Sequence, residues 1–313
     1  MFVKKRLNIL VVLLLVLSLL AVGCGQKQAP SVTVDEQEYA RPEMLVDVEE
    51  LKEIVDDPNV AILDIRAQAK YILGHIPGAI NVWRPEYEAP EADYGFGGML
   101  CDKAQWEELM GSLGIDNDTR VIIYDDKGVY DSARVWWALF GYGHENMQVL
   151  NGGWDAWVAT DGDTSLKGPS ITPTTYTAKD FDMDIYATLD EVKDAVDSGD
   201  VVIIDTRAEG EYTGEELKSG AFRQGRLPGV VWIEWNQNLN EDKTVKSAEE
   251  LREMYKEFGI EEDTTVITYC QSGVRSAAAW FNLRLIGYDN VQNFDGSWIE
   301  WSYNEDLPIE TDQ

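Results

Sequence analysis

Val266-Ile-Thr-Tyr-Cys270-Gln-Ser-Gly273-Val-Arg275-Ser-Ala-Ala-Ala-Trp280-Phe-Asn-Leu-Arg-Leu285 is the stretch on which the fold turns. Val266 to Tyr269 is short, apolar and rich in β-branched residues, as a buried parallel strand requires. Ala277 to Leu285 is Ala-rich and long enough for a helix. Between them lies only a tight loop, so the stretch reads strand, loop, helix. A loop that feeds a helix N-terminus turns several backbone N–H groups toward its centre, where the helix dipole adds to them and favours negative charge. Cys270 ends the strand at that centre, Arg275 is near, and Gly273 suits the positive φ of a tight cradle. A cysteine at a strand end is, by itself, an inert core residue. The turn, the glycine and the arginine in register make it a candidate thiolate, with its pKa drawn below the free value of about 8.5.

Working outward, the strand has a counterpart. Val121-Ile-Ile-Tyr124-Asp125 matches Val266-Ile-Thr-Tyr269-Cys270 at a displacement of 145. Ala61-Ile-Leu-Asp64-Ile-Arg66 returns as Val202-Ile-Ile-Asp205-Thr-Arg207, displaced by 141. Gly74-His-Ile-Pro-Gly-Ala79 returns as Gly225-Arg-Leu-Pro-Gly-Val230, displaced by 151, which puts ten extra residues between these blocks in the second copy. Asn151-Gly-Gly-Trp154 returns as Asp295-Gly-Ser-Trp298, displaced by 144. Four blocks in one order mark a duplicated domain.

Each copy alternates short apolar runs with helical patterns, which predicts an α/β fold of parallel strands and crossover helices. Val60 to Leu63, Val121 to Tyr124, Val201 to Ile204 and Val266 to Tyr269 are the expected strands. Val48 to Val55, Gln105 to Leu113, Leu189 to Val196 and Ala248 to Phe258 have helical spacing. The expected division is residues 44–160 and 186–303 for the two domains, a Gly- and Pro-bearing linker at 161–185, and a tail at 304–313.

The amino terminus reads as an export signal. Lys4, Lys5 and Arg6 precede an apolar run from Leu7 to Gly23, interrupted only by Asn8 and Ser18. It ends Ala21-Val22-Gly23-Cys24, similar to the lipobox of bacterial lipoproteins, so residues 1–23 are expected to be removed and Cys24 lipidated. Acyl chains anchor durably only when more than one is present, which a lipidated cysteine provides. Residues 24–43 read as a tether, and the expected location is the extracytoplasmic face of the cell membrane, lipid-anchored.

The 313 residues suit two domains. A formal charge of -31 repels a phosphate backbone and makes nucleic acid an unsuitable partner. Three cysteines exclude a disulfide framework and two histidines leave little for a zinc site, so no metal is expected.

On Asp64-x-Arg66 and Asp205-x-Arg207, the Gly74 and Gly225 blocks, Cys270-x-x-Gly-x-Arg275, and the ends Gly152-Gly-Trp-Asp-Ala-Trp157 and Gly296-Ser-Trp-Ile-Glu-Trp301, the chain resembles the rhodanese superfamily, specifically its tandem-domain sulfurtransferases. The resemblance implies two tandem rhodanese-like domains, each a five-stranded parallel sheet flanked by helices, with the active site in the second. It implies that Cys270 takes the outer sulfur of a small anionic donor such as thiosulfate, becomes a persulfide, and hands the sulfur to cyanide or another thiophilic acceptor, without a cofactor. Catalysis is then expected of Cys270 and Arg275, with substrate held by the loop, Gln271, Ser272, Gly273, Val274 and Ser276. Lys218, Arg223 and Arg226 cluster in the ten-residue insertion just before Leu227-Pro-Gly229, where the family's substrate-binding basic residues usually arise. Asp125 replaces the nucleophile in the first copy, which is therefore expected to be silent.

Alternatives remain at this level. Four residues separate Cys270 from Arg275, where cysteine phosphatases have five, so the ring suits one sulfur better than a phosphate. Many animal-type members carry a substrate-gripping arginine where this chain has Glu211, which weakens the case for 3-mercaptopyruvate, although the serine at 272 fits that type. A non-enzymatic persulfide carrier is the other reading. Asp205 and Arg207 are expected to form a structural ion pair, His75 to serve its turn, and Cys101 to be a bystander.

Overall fold

The computed structural model describes residues 38–312. The signal segment, Cys24 and the tether up to residue 37 lie outside the described residues.

The first copy contains β1 (Leu45–Val46), β2 (Val60–Asp64), β3 (Ile80–Asn81), β4 (Arg120–Tyr124) and β5 (Met147–Leu150). The second contains β6 (Tyr186–Ala187), β7 (Val202–Asp205), β8 (Val231–Trp232), β9 (Val266–Tyr269) and β10 (Val291–Phe294). Each set forms one all-parallel sheet, in the orders β1-β5-β4-β2-β3 and β6-β10-β9-β7-β8. The four strands expected from sequence are the central pairs of these sheets. The flanking strands have two to four residues each, too short to show a hydrophobic pattern.

Crossover helices start where the sequence provides caps. Asp47 and Asp102 accept the amides of Glu50 and Gln105 at 2.8 and 2.9 Å. Thr188 with Glu191, and Ser247 with Glu250, form capping boxes at the corresponding places of the second copy. The helices Val48–Ile54, Lys103–Ser112, Leu189–Ser198 and Ala248–Glu257 follow them.

The two domains share one core. A single hydrophobic cluster includes Leu63, Val121, Trp136 and Trp137 of the first copy together with Ile204, Val266, Trp280 and Phe281 of the second. The helices Tyr130–Gly141 and Val274–Leu285 lie against each other there, with Trp136 edge-on to Phe281 at 5.3 Å and tilted against Trp280 at 5.9 Å. The outer face of each sheet has its own smaller cluster.

The segments that flank and join the domains are tied down. Tyr39, in the tether, is buried and donates its hydroxyl to Val245 and Lys246 carbonyls, while Arg41 pairs with Asp289. The linker pairs Ser165 with His75 and buries Tyr176. In the tail Glu310 exchanges backbone bonds with Arg226. Polar composition conceals these attachments, because each depends on one or two side chains or on backbone pairing alone.

Candidate active site

The four repeated blocks meet at the carboxyl ends of β2 and β7. The Asp64 carboxylate takes the Arg66 guanidinium at 2.5 Å and the Tyr124 hydroxyl at 2.5 Å. Arg66 reaches on to the Gly74 carbonyl at 2.8 Å and lies 4.1 Å above the Trp154 ring. In the second copy Asp205, Arg207, Tyr269, Gly225 and Trp298 repeat the arrangement, with the guanidinium 2.9 Å from the Gly225 carbonyl and 4.7 Å from the indole. Such a buried pair is tolerated because every charge is also hydrogen-bonded. Its presence in both copies marks it as architecture that sets the strand end beside which the next strand, β4 or β9, delivers its last residue.

At the end of β9 that residue is Cys270, 1% exposed. The helix Val274–Leu285 begins four residues later, after Gly273 in the left-handed region at φ 73°. The Ser276 hydroxyl lies 3.6 Å from Sγ, and the amides of Ser272 and Ser276 face the sulfur. Burial pushes the thiol pKa up. The Arg275 charge, the Ser276 amide and hydroxyl, and the Ser272 amide overturn that, and the net shift is downward. Among the described residues Cys101 is the contrast: burial first, then Asp102, push its thiol up to about 12.

Arg275 is not a free cation. Its two terminal nitrogens bond both oxygens of Glu211 at 2.6 and 2.8 Å, a bidentate pair buried on both sides. The helix Glu209–Thr213 carries Glu211 there from the place where a clamping arginine is absent. Lys218 Nζ is 3.5 Å from the same carboxylate and half-exposed, so it is the basic residue of the insertion that faces this site. Glu234 is also near; burial, opposed by Arg275, raises its pKa. Tyr130 of the first domain adds its ring, edge-on to Trp235 at 4.6 Å and within the field of Arg275. Reading the sequence identified neither Tyr130 nor Trp235, because both come to the site through the domain interface.

Two sequence assignments require correction. Arg223 points away from the loop and bonds the carbonyls of Trp301, Ser302, Asn304, Glu305 and Leu307 at 2.8 to 3.2 Å, capping the last helix. Arg226 bonds the Tyr212 carbonyl, lies 4.3 Å over the Tyr212 ring, and pairs with Glu310 and Asp312. Neither offers a guanidinium to a substrate, since helix-end carbonyls and tail carboxylates already satisfy them. In the loop, Gln271 donates its amide to Ser219 at 3.2 Å, and Val274 is buried. Ser272 packs under the first domain's Gly98, where a Cβ would come within 2.8 Å of the serine Cβ. Beside it lies a 460 Å³ cavity between the domains, lined by Glu88, Glu91, Phe96, Phe222, Ser272 and Ile299 among others. His75 stacks on Tyr71 at 3.8 Å and bonds its carbonyl, inside the first domain's turn.

The first-domain loop holds a carboxylate where the second holds sulfur. Asp125 accepts the amides of Lys127, Asp131 and Ser132 at 2.7, 2.8 and 2.9 Å and the Ser132 hydroxyl at 2.9 Å. The cradle is thus occupied by its own side chain, and a carboxylate cannot carry a sulfane sulfur.

Comparison with known proteins places these observations. The rhodanese-like domain matches residues 47–160 and again 188–304. A putative thiosulfate sulfurtransferase of Haloferax volcanii is 39% identical over 262 residues, covering 82% of this chain and 90% of that protein. The sulfur carrier protein TtuD of Thermus thermophilus is 36% identical over 284 residues, covering 87% and 98%. A thiosulfate sulfurtransferase of Corynebacterium glutamicum is 32% identical over 287 residues, covering 88% and 93%. Among solved structures, wild-type EanB superposes with a TM-score of 0.76 at 24% identity over 87% of this chain and 70% of that one, a likeness of fold. With both copies matched and the duplicated site in place, this chain belongs to the rhodanese family as a tandem-domain member.

Proposed function

We propose that the protein is a thiosulfate sulfurtransferase that works through a persulfide on Cys270. The observation that carries this reading is a buried thiol drawn toward its anionic form by a guanidinium, two amides and a hydroxyl, on a loop with four residues between Cys270 and Arg275. The thiolate attacks the outer sulfur of thiosulfate; the new S–S bond forms as the old one breaks, and sulfite leaves with the electron pair. The loop amides then hold the terminal sulfur anion. A thiophile such as cyanide attacks that sulfur, and the Cys270 thiolate is released unchanged. A thiolate already formed needs no general base.

Lys218 supplies the cation that meets the donor. A 3-mercaptopyruvate carboxylate would call for a bidentate arginine, and Arg275 is committed to Glu211. The deciding experiment is sulfite and thiocyanate release from thiosulfate and cyanide, by wild type and Cys270→Ser. Steady turnover by wild type alone supports the enzyme. The likeness to a protein named a sulfur carrier favours a second reading, in which Cys270 loads and delivers its sulfur to a partner. Loading without turnover on several acceptors selects it.

The basic start, apolar run and Cys24 support a lipid-anchored protein on the extracytoplasmic face of the membrane. Palmitate labelling of wild type but not of Cys24→Ser tests this.

A further inference from the structure

Ser297 is the first residue of the last helix, Ser297–Tyr303, three residues after the end of β10, and has no exposed surface. Its Oγ accepts the Cys270 amide at 3.1 Å and the Gly273 amide at 3.0 Å, and its hydroxyl donates to the Phe294 carbonyl at 2.7 Å. A hydroxyl has one donor and two acceptor sites, and all are used. The two amides it takes are the ends of the tight turn from Cys270 to Gly273. One oxygen, fixed to the end of a β-strand, therefore sets the span of the turn from behind, while the amides of Ser272 and Ser276 remain to face the sulfur.

The serine holds this place at a conformational cost. Its φ is 50°, in the left-handed region that L side chains avoid. The first domain has Gly153 at the matching position, with φ 57°. The backbone bond is the same in both turns: Trp154 N–H to the Asp125 carbonyl at 2.8 Å, and Trp298 N–H to the Cys270 carbonyl at 2.9 Å. A Cβ on Gly153 would sit 2.2 Å from that Asp125 oxygen. The strained serine thus occurs in the copy with the thiol, and the unstrained glycine in the copy without it. The chemistry accounts for the difference. In the first loop a carboxylate gathers the amides from inside. Sulfur is a weaker acceptor than a carboxylate oxygen, and in the second loop an oxygen on the outer side takes two of the amides.

We propose that Ser297 is the positioning residue of the sulfur cradle, holding the Cys270 and Gly273 amides so that the remaining loop amides converge on Sγ. This rests on Cys270 being the sulfur-carrying nucleophile. The test uses the full mature chain with Ser297→Gly, which removes the hydroxyl and relieves the strain, and Ser297→Ala, which removes the hydroxyl and keeps it. Ser297→Gly is expected to fold, to shift the iodoacetamide pH profile of Cys270 upward by about one unit, and to slow single-turnover sulfite release about tenfold at neutral pH with little change in KM. Ser297→Ala is expected to show the same shift with a lower melting temperature. A wild-type alkylation profile in Ser297→Gly overturns the proposal, whatever the stability. If wild type takes up no sulfur, the functional reading fails instead, and the alkylation profile still decides the role of Ser297.

Discussion

Glu211 and Arg275 show how one residue changes the meaning of another. In sequence, a glutamate at 211 is the loss of a donor clamp. In the structure it is the partner that occupies the catalytic loop's arginine. The guanidinium still lowers the thiol pKa, but its field is partly cancelled next to Sγ. Glu211→Gln is therefore expected to move the Cys270 alkylation profile to lower pH, because the positive charge is then unopposed. It also leaves a buried guanidinium without its counter-charge, which should cost roughly 3–5 kcal/mol in urea unfolding. Lys218 behaves differently because it is half-exposed. Lys218→Ala is expected to raise KM for thiosulfate about threefold, more at low salt, with kcat and melting temperature near wild type.

At the scale of elements, the ten-residue insertion braces a helix as well as presenting a charge. Arg223→Ala removes a guanidinium that bonds five carbonyls around the end of the helix Ser297–Tyr303, and is expected to destabilise by about 1.5–3 kcal/mol. The Cys270 alkylation profile should stay in place, which separates Arg223 from the site. The first-domain cradle has a pH signature of its own. Burial, then Asp131, push the Asp125 carboxyl up to about 6 despite its amide bonds. A carboxyl whose pKa is higher folded than unfolded contributes most to stability when protonated, below its unfolded pKa, and that contribution is lost as pH rises from about 4 to 6. Subtracting the melting temperatures of Asp125→Asn from those of wild type across this window should give a difference that falls with rising pH. A flat difference would count against a raised pKa at Asp125.

The whole molecule is held by an interface that resembles a domain interior. Arg134 of the first domain and Asp295 of the second form a buried ion pair there, and Leu100 donates its amide to the same carboxylate at 2.9 Å. Arg134→Ala strands Asp295 without its counter-charge and should lower stability by roughly 3–5 kcal/mol. Because the cluster is continuous across both sheets, calorimetry of wild type is expected to show one transition, and two resolved transitions would contradict a shared core. The first copy therefore has a physical role, since it covers the inner face of the second domain and brings Tyr130 and Gly98 to the loop.

The α/β class, the duplication, the central strands and the Cys270 loop were legible in sequence because each is a local pattern: a β-branched run, a glycine at a turn, a repeated block at nearly constant displacement. The fate of the arginines was not. Arg223, Arg226 and Arg275 carry the same charge in the chain, and only tertiary contacts assign the first to helix carbonyls, the second to the tail and the third to Glu211. Ser297 was visible as a serine for glycine between two copies of one block, yet its meaning depends on an oxygen reaching amides twenty-four and twenty-seven residues away. Sequence alone singled out Cys270 as the candidate nucleophile, since a strand, a tight loop and a helix N-terminus are encoded by neighbours. Only the folded chain decided what surrounds that atom, because the charges and hydroxyls that tune it come from separate segments whose meeting is fixed by packing.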